Sequence, residues 1–174
     1  TIEVKNDPRI EISETSINDA YEANKEIEKL IQTVNTAVNQ LIDSKNIAAS
    51  FKNRLIEKDK TTYEHQIKLC EEITKKADSL IDLYLGKKDK RQGITATEFP
   101  STVSYLFTAS RYVNGLMQHP GTTETALVKN ADEKVRAVIS KINTFYKTDW
   151  INYKNSVENL KLSPFEEVKE LEYK

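Results

Sequence analysis

Residues 13–57 read SETSINDAYEANKEIEKLIQTVNTAVNQLIDSKNIAASFKNRLIE, and the spacing of their apolar side chains decides the fold. Ile17, Ala20, Asn24, Ile27, Ile31, Val34, Val38 and Leu41 advance by alternating steps of three and four. That rhythm puts one stripe on one face of a helix and suits left-handed packing against a neighbour. Leu30 and Ala37 widen the stripe to what a bundle helix needs. The pattern shifts near Ile47-Ala48-Ala49, a place where the helix is expected to bend, and resumes at Phe51, Leu55 and Ile56. Ser13 is the expected N-cap, because its hydroxyl can accept from a free amide of the first turn. Asn24 interrupts the apolar seam and reads as a residue that fixes register.

Working outward from this helix, Lys58-Asp59-Lys60-Thr61 is polar and short, so the next helix should return antiparallel. Tyr63, Cys70, Ala77 and Tyr84 recur every seven residues, with Ile67, Ile73, Leu80 and Ile81 among them. Glu71 with Lys75, and Glu72 with Lys76, have the spacing of stabilising pairs on one helix. Gly86 is the expected stop. The basic stretch from Lys87 to Gly93 opens a connection over 87–99, read as a solvated loop, with phosphate binding as its sharper alternative.

A third helix can start at Ser101 or Thr102, with Val103, Leu106, Ser110, Val113 and Met117 as its seam and Gln118-His119-Pro120-Gly121 as its end. Thr122 or Thr123 should cap a fourth. There Val128, Val135, Ile142 and Asp149 form one heptad line and Ala131, Val138 and Phe145 a second, broadened by Ile139, Tyr146, Tyr153 and Leu160. Ser163-Pro164 should end it. The expected fold is all-α: an antiparallel up-down-up-down four-helix bundle over residues 13–165. A short extended segment, residues 1–12, precedes it as the close of an upstream β-domain, and a charged tail, 166–174, follows.

Composition narrows the function classes. Lys and Arg number 26 against 27 Asp and Glu, a balance that offers no basic face for nucleic acid. No apolar run approaches the ~20 residues of a membrane span. Cys70, the single cysteine, has no internal disulfide partner and reads as a small buried hydrophobe. His65 falls on a polar helix face and His119 in a turn, neither with a ligand at i+3 or i+4, so no metal site and no cofactor is expected. No nucleophile with base and orienting group can be assembled, so no catalytic residue is assigned. The aromatic residues Phe145, Tyr146, Trp150 and Tyr153 cluster within a few turns; core packing is the economical reading, and a binding patch is the alternative.

The order of several motifs resembles a known family. Asp7-Pro8-Arg9 after Ile2 and Val4, Ala37-Val38-Asn39-Gln40-Leu41 in a long helix, LFTASRYVNGL at 106–116, the Gly121-Thr122-Thr123-Glu124 helix start, and the run from Ile151-Asn152-Tyr153 to Ser163-Pro164-Phe165 carry the resemblance. Together they resemble the C-terminal helical region of bacterial secreted BNR-repeat glycosyl hydrolase-like proteins, which are similar to the sortilin or Vps10 β-propeller. The resemblance implies a propeller and a small β-sandwich upstream as partners, an extracytoplasmic location, and a non-catalytic accessory role. No Ser-x-Asp-x-Gly-x-x-Trp box of the propeller occurs here, so no hydrolase residue carries over. The start at Thr1, without Met, reads as that of a piece of a longer protein. A self-contained helical binding or oligomerisation module is the competing reading.

Overall fold

In the computed structural model, Arg9, residues 11–87, residues 101–160 and Leu162 are described. The helices run α1 (Glu14–Asp59), α2 (Glu64–Leu85), α3 (Thr102–Val113), α4 (Thr122–Phe145), a π-helical segment (Tyr146–Trp150) and α5 (Ile151–Glu158). No strand occurs among the described residues. Of the expected extended segment only Arg9, Glu11 and Ile12 are among them, and the charged tail and all of the 87–99 connection but Lys87 lie outside.

The first helix has 46 residues, which at ~1.5 Å per residue makes a rod of about 69 Å. Ser13 caps it as expected, its hydroxyl accepting from the Ser16 amide at 3.1 Å. The stripe does not drift in its second half. Ala20, Ile27, Val34, Leu41, Ala48 and Leu55 are all buried, one strict seven-residue line. The misleading residue was Ile47, which is 57% exposed. The line passes through the small Ala48 beside it, and the helix runs on without a break.

Contacts along the stripe fix the direction of each partner. On α2, Glu71 pairs with Lys52, Asp78 with Lys45, and Tyr84 donates to Asn35. Rising numbers on α2 meet falling numbers on α1, so α2 is antiparallel. At its end Gly86 takes φ +86°, and a methyl group placed there would lie 3.0 Å from Ser101 Cβ. The chain thus returns to the point it left. Thr102 is buried at the head of α3, and its hydroxyl donates to the Leu83 carbonyl at 3.2 Å. At the other end of α3, the Asn24 amide donates to the Val113 carbonyl at 3.2 Å. Both bonds go to carbonyls at a helix end, and that of Val113 also accepts from the Leu116 amide.

Helix α3 therefore continues α2 in the same direction along α1. The helices form three rods: α1 up, α2 and α3 down end to end, and α4 with α5 up. The expected alternation gives way to this order because a helix of 12 residues cannot match α1, and the Gly86–Ser101 junction carries the chain onward without reversing it. Register along α4 agrees, with Lys134 over the Tyr105 ring and the Tyr146 hydroxyl 3.0 Å from that of Ser44.

Three further details depart from the sequence reading. Helix α3 ends at Val113 rather than near Gln118, its fully buried positions are Thr102, Leu106, Ala109 and Val113, and Met117 stands exposed beyond it. Gly121, not a threonine, occupies the cap position of α4. Glu71 and Lys76 reach neighbouring helices, Lys52 and Asp149, instead of each other's expected partners one turn away. An acidic or basic side chain at the edge of a seam meets its opposite across the interface as readily as along its own helix.

The π segment explains the last departure. Buried positions on α4 are Val128, Ala131, Val135, Val138, Ile142 and Phe145, which project the next seam places onto Asp149 and Asn152. The side chains that pack inward are Trp150 and Tyr153, one residue later. A π turn holds an extra residue relative to an α turn, so it moves the whole following seam by one. Asp149 is thereby freed from the core and pairs with Lys76 at 2.5 Å.

Two outcomes are expected. Val38→Asp, on the buried seam, should cost about 3 kcal/mol or more, whereas Ile47→Asp should stay within about 0.5 kcal/mol of the parent; equal losses in denaturant melts would refute the seam. Deleting Lys147 should leave a folded protein, because it restores an uninterrupted heptad into α5. Deleting Lys141, ahead of the π segment, should throw Phe145 off the seam and unfold α4; helical dichroism on heating reads both.

Candidate functional site

The four aromatic residues singled out by sequence come together where α4 passes through the π segment into α5. Phe145 and Tyr146 meet edge to face at 5.2 Å between ring centroids, and Trp150 lies 6.3 Å from Tyr146 and 5.3 Å from Tyr153. Phe145 and Tyr153 are buried; Tyr146 and Trp150 are half-buried and packed on the same core. The extra residue of the π turn brings Trp150 and Tyr153 onto the seam that ends at Phe145.

The two tyrosine hydroxyls meet neighbouring helices. Tyr146 shares a hydrogen bond with Ser44 of α1, whose hydroxyl also donates to its own Gln40 carbonyl at 2.9 Å. Tyr153 lies with its hydroxyl 3.6 Å from Cys70 Sγ of α2. Burial pushes the Cys70 thiol up, and the contact with Tyr153 only tempers that rise. A thiol held protonated in this way is a poor nucleophile and a poor metal ligand. Burial pushes the Tyr153 phenol up strongly, with the Cys70 contact adding to it, and it raises Tyr84 and Tyr146 as well. No buried side-chain nitrogen or oxygen among the described residues lacks a hydrogen-bond partner.

The other candidates stand apart from this cluster. His65 is exposed on α2. His119, before α4, places Nδ1 2.8 Å from Asp19 Oδ2 at the far end of the bundle. Asn24 reaches the end of α3, its amide donating to the Val113 carbonyl and also to the Ala20 carbonyl. Among the described residues no group of three or more His, Cys, Asp or Glu could hold a metal ion.

Three of the concave surfaces are grooves between rods. Two lie between α1 and α4: one of about 840 Å³ beside Asp19 and His119, and one of about 660 Å³ beside Leu30 and Ile139. A third, of about 520 Å³, runs between α2 and α4 beside Leu80, Leu83 and Phe145. The sequence reading missed all three, because a groove is a property of how two helices sit together and no residue pattern on either helix marks it.

No protein-family model, curated protein or solved structure matches this chain.

The buried phenols set an alkaline limit. A tyrosine whose folded pKa is raised holds its proton when the unfolded chain has released one, so its stabilisation is present below about pH 10 and is lost as pH rises further. The melting temperature should fall above that pH, and Tyr153→Phe should flatten the fall. An unchanged alkaline slope in Tyr153→Phe would show that this phenol is not desolvated.

Proposed function

We propose that the chain is a non-catalytic helical accessory domain, a structural and protein-interaction element of a larger secreted BNR-repeat, sortilin-like protein. The observation that supports it best is the use of the chemically capable side chains. Tyr84, Tyr146, Tyr153, Ser44 and Cys70 all spend their polar atoms on contacts between rods. A cluster so engaged stiffens a scaffold and leaves no poised acid, base or nucleophile for a substrate. The resemblance in motif order supplies the parent: an upstream β-propeller and β-sandwich as intramolecular partners, and an extracytoplasmic setting. A net charge of −1 disfavours nucleic acid as a partner. No helix among the described residues is long and apolar enough to cross a membrane.

A second reading, a self-contained binding or oligomerisation module, draws on the exposed apolar side chains at one end of the bundle. Phe107 and Tyr112 on α3 and Met117 beyond it are each more than half exposed. Solution mass separates the two readings: a monomer at all concentrations fits the accessory domain, and a concentration-dependent dimer fits the module.

Glycoside hydrolysis needs two carboxyl groups about 5–10 Å apart flanking a sugar-holding cleft. On the described surface Asp78, Glu71, Asp149 and Asp132 are instead engaged with lysine or arginine. The isolated chain should show no turnover of aryl-glycosides or polysaccharides. Turnover abolished by replacing one of its own carboxylates would overturn the proposal.

A further inference from the structure

Asn114-Gly115 is the single Asn-Gly pair in the chain, and it stands where α3 ends. Asn114 has φ −67° and ψ 124°, Gly115 has φ +84°, and the Leu116 amide donates to the Val113 carbonyl at 3.2 Å. These angles make residues 113–116 a type II turn, whose third place favours glycine. Both residues of the pair are exposed, and a methyl group placed on Gly115 would meet nothing within 4 Å. The pair can therefore turn about its own backbone at the cost of the Leu116–Val113 bond.

The fold treats the other described asparagines differently. Those in α1, α4 and α5 are each followed by a residue of the same helix, whose N–H is held in the helix ladder. Asn159 is followed by Leu160, whose N–H donates to the Val157 carbonyl at 3.1 Å. The Gly115 N–H has no backbone partner among the described residues, and no side chain of its own crowds it. We propose that Asn114 is a site of spontaneous deamidation, and that the acid it leaves weakens the hold of α3 on α1. The Gly115 nitrogen, on losing its proton to base, attacks Cγ of Asn114. The N–Cγ bond forms, the Cγ–Nδ2 bond breaks, and Nδ2 leaves as ammonia. Water then opens the cyclic imide at either carbonyl, giving aspartate, or isoaspartate with the main chain rerouted through the side chain. Either product places a negative charge at the C-terminus of α3, where the helix dipole disfavours it. That charge sits beside the Val113 carbonyl, to which Asn24 ties α1.

Peptide mapping by mass spectrometry tests this on the full chain, held folded at mildly alkaline pH. Asn114 should convert about tenfold faster or more than any helical asparagine, a barrier difference of about 1.4 kcal/mol. The product should include isoaspartate, read by methyl transfer from an isoaspartate-specific methyltransferase. Gly115→Ala, which crowds the attacking nitrogen, and Asn114→Gln, which lengthens the side chain, should both slow the loss of ammonia, with helical dichroism verifying the fold of each. The converted chain should melt about 2 °C below the fresh one. One common rate for all asparagines would overturn the proposal, as would aspartate formed without isoaspartate, or a Gly115→Ala rate equal to the parent's. A melting temperature unchanged by full conversion would overturn the link to α3.

Discussion

The buried line from Ala20 to Leu55 on α1 is the constraint on which the rest of the structure depends. It is an apolar strip the length of the bundle and has to be covered throughout, at a gain of roughly 25 cal/mol for each Å² removed from water. Helix α2, with 22 residues, covers about half of it. Helix α3 covers the remainder, and the Thr102–Leu83 and Asn24–Val113 bonds hold it in line. The third rod, from Thr122 to Glu158, spans the strip alone, and the π turn about two thirds of the way along it resets its register.

Polar side chains then set which residue meets which. An apolar stripe tolerates a slip by one heptad, since leucine packs on valine nearly as well in either place. Tyr84 on Asn35, Tyr146 on Ser44 and Asn24 on Val113 favour one register over the other, because a slip would break three part-buried hydrogen bonds, each contributing about 1 kcal/mol. The ion pairs Lys45–Asp78 and Lys52–Glu71 point the same way, but each is only half-buried and adds little. The aromatic cluster belongs to this register system: its rings supply buried area, and its hydroxyls tie α4 and α5 to α1 and α2.

Much of this was legible in the residues. The length of α1, its cap at Ser13, the heptad of Cys70, Ala77 and Tyr84 and the stop at Gly86 follow from spacing and side-chain chemistry alone. Periodicity reports which face of a helix is buried, and it says nothing of direction. The downward course of α3 rests on the meeting of Gly86 and Ser101, a contact between residues far apart in sequence. The π turn was hidden for a related reason. The heptad from Val128 to Phe145 is perfect, and only the misfit of Asp149, a carboxylate on an otherwise apolar line, marked the place where it stops. Of the candidate site, the residues were found and their company was not: Ser44 and Cys70 gave no sign, taken singly, of being partners to Tyr146 and Tyr153.

The direction of α3 is the claim that separates this architecture from an alternating bundle, and one distance measures it. Spin labels at Lys58, near the α1–α2 turn, and at Arg111, near the end of α3, are both on exposed positions. With Val113 held at the level of Asn24, the account gives about 50 Å between them, from ~1.5 Å of rise per residue along α1. If α3 instead turned back toward the α1–α2 turn, the same reckoning gives about 20 Å. A double electron–electron resonance distribution centred near the longer distance is the expected result, and one centred near the shorter would contradict the three-rod fold.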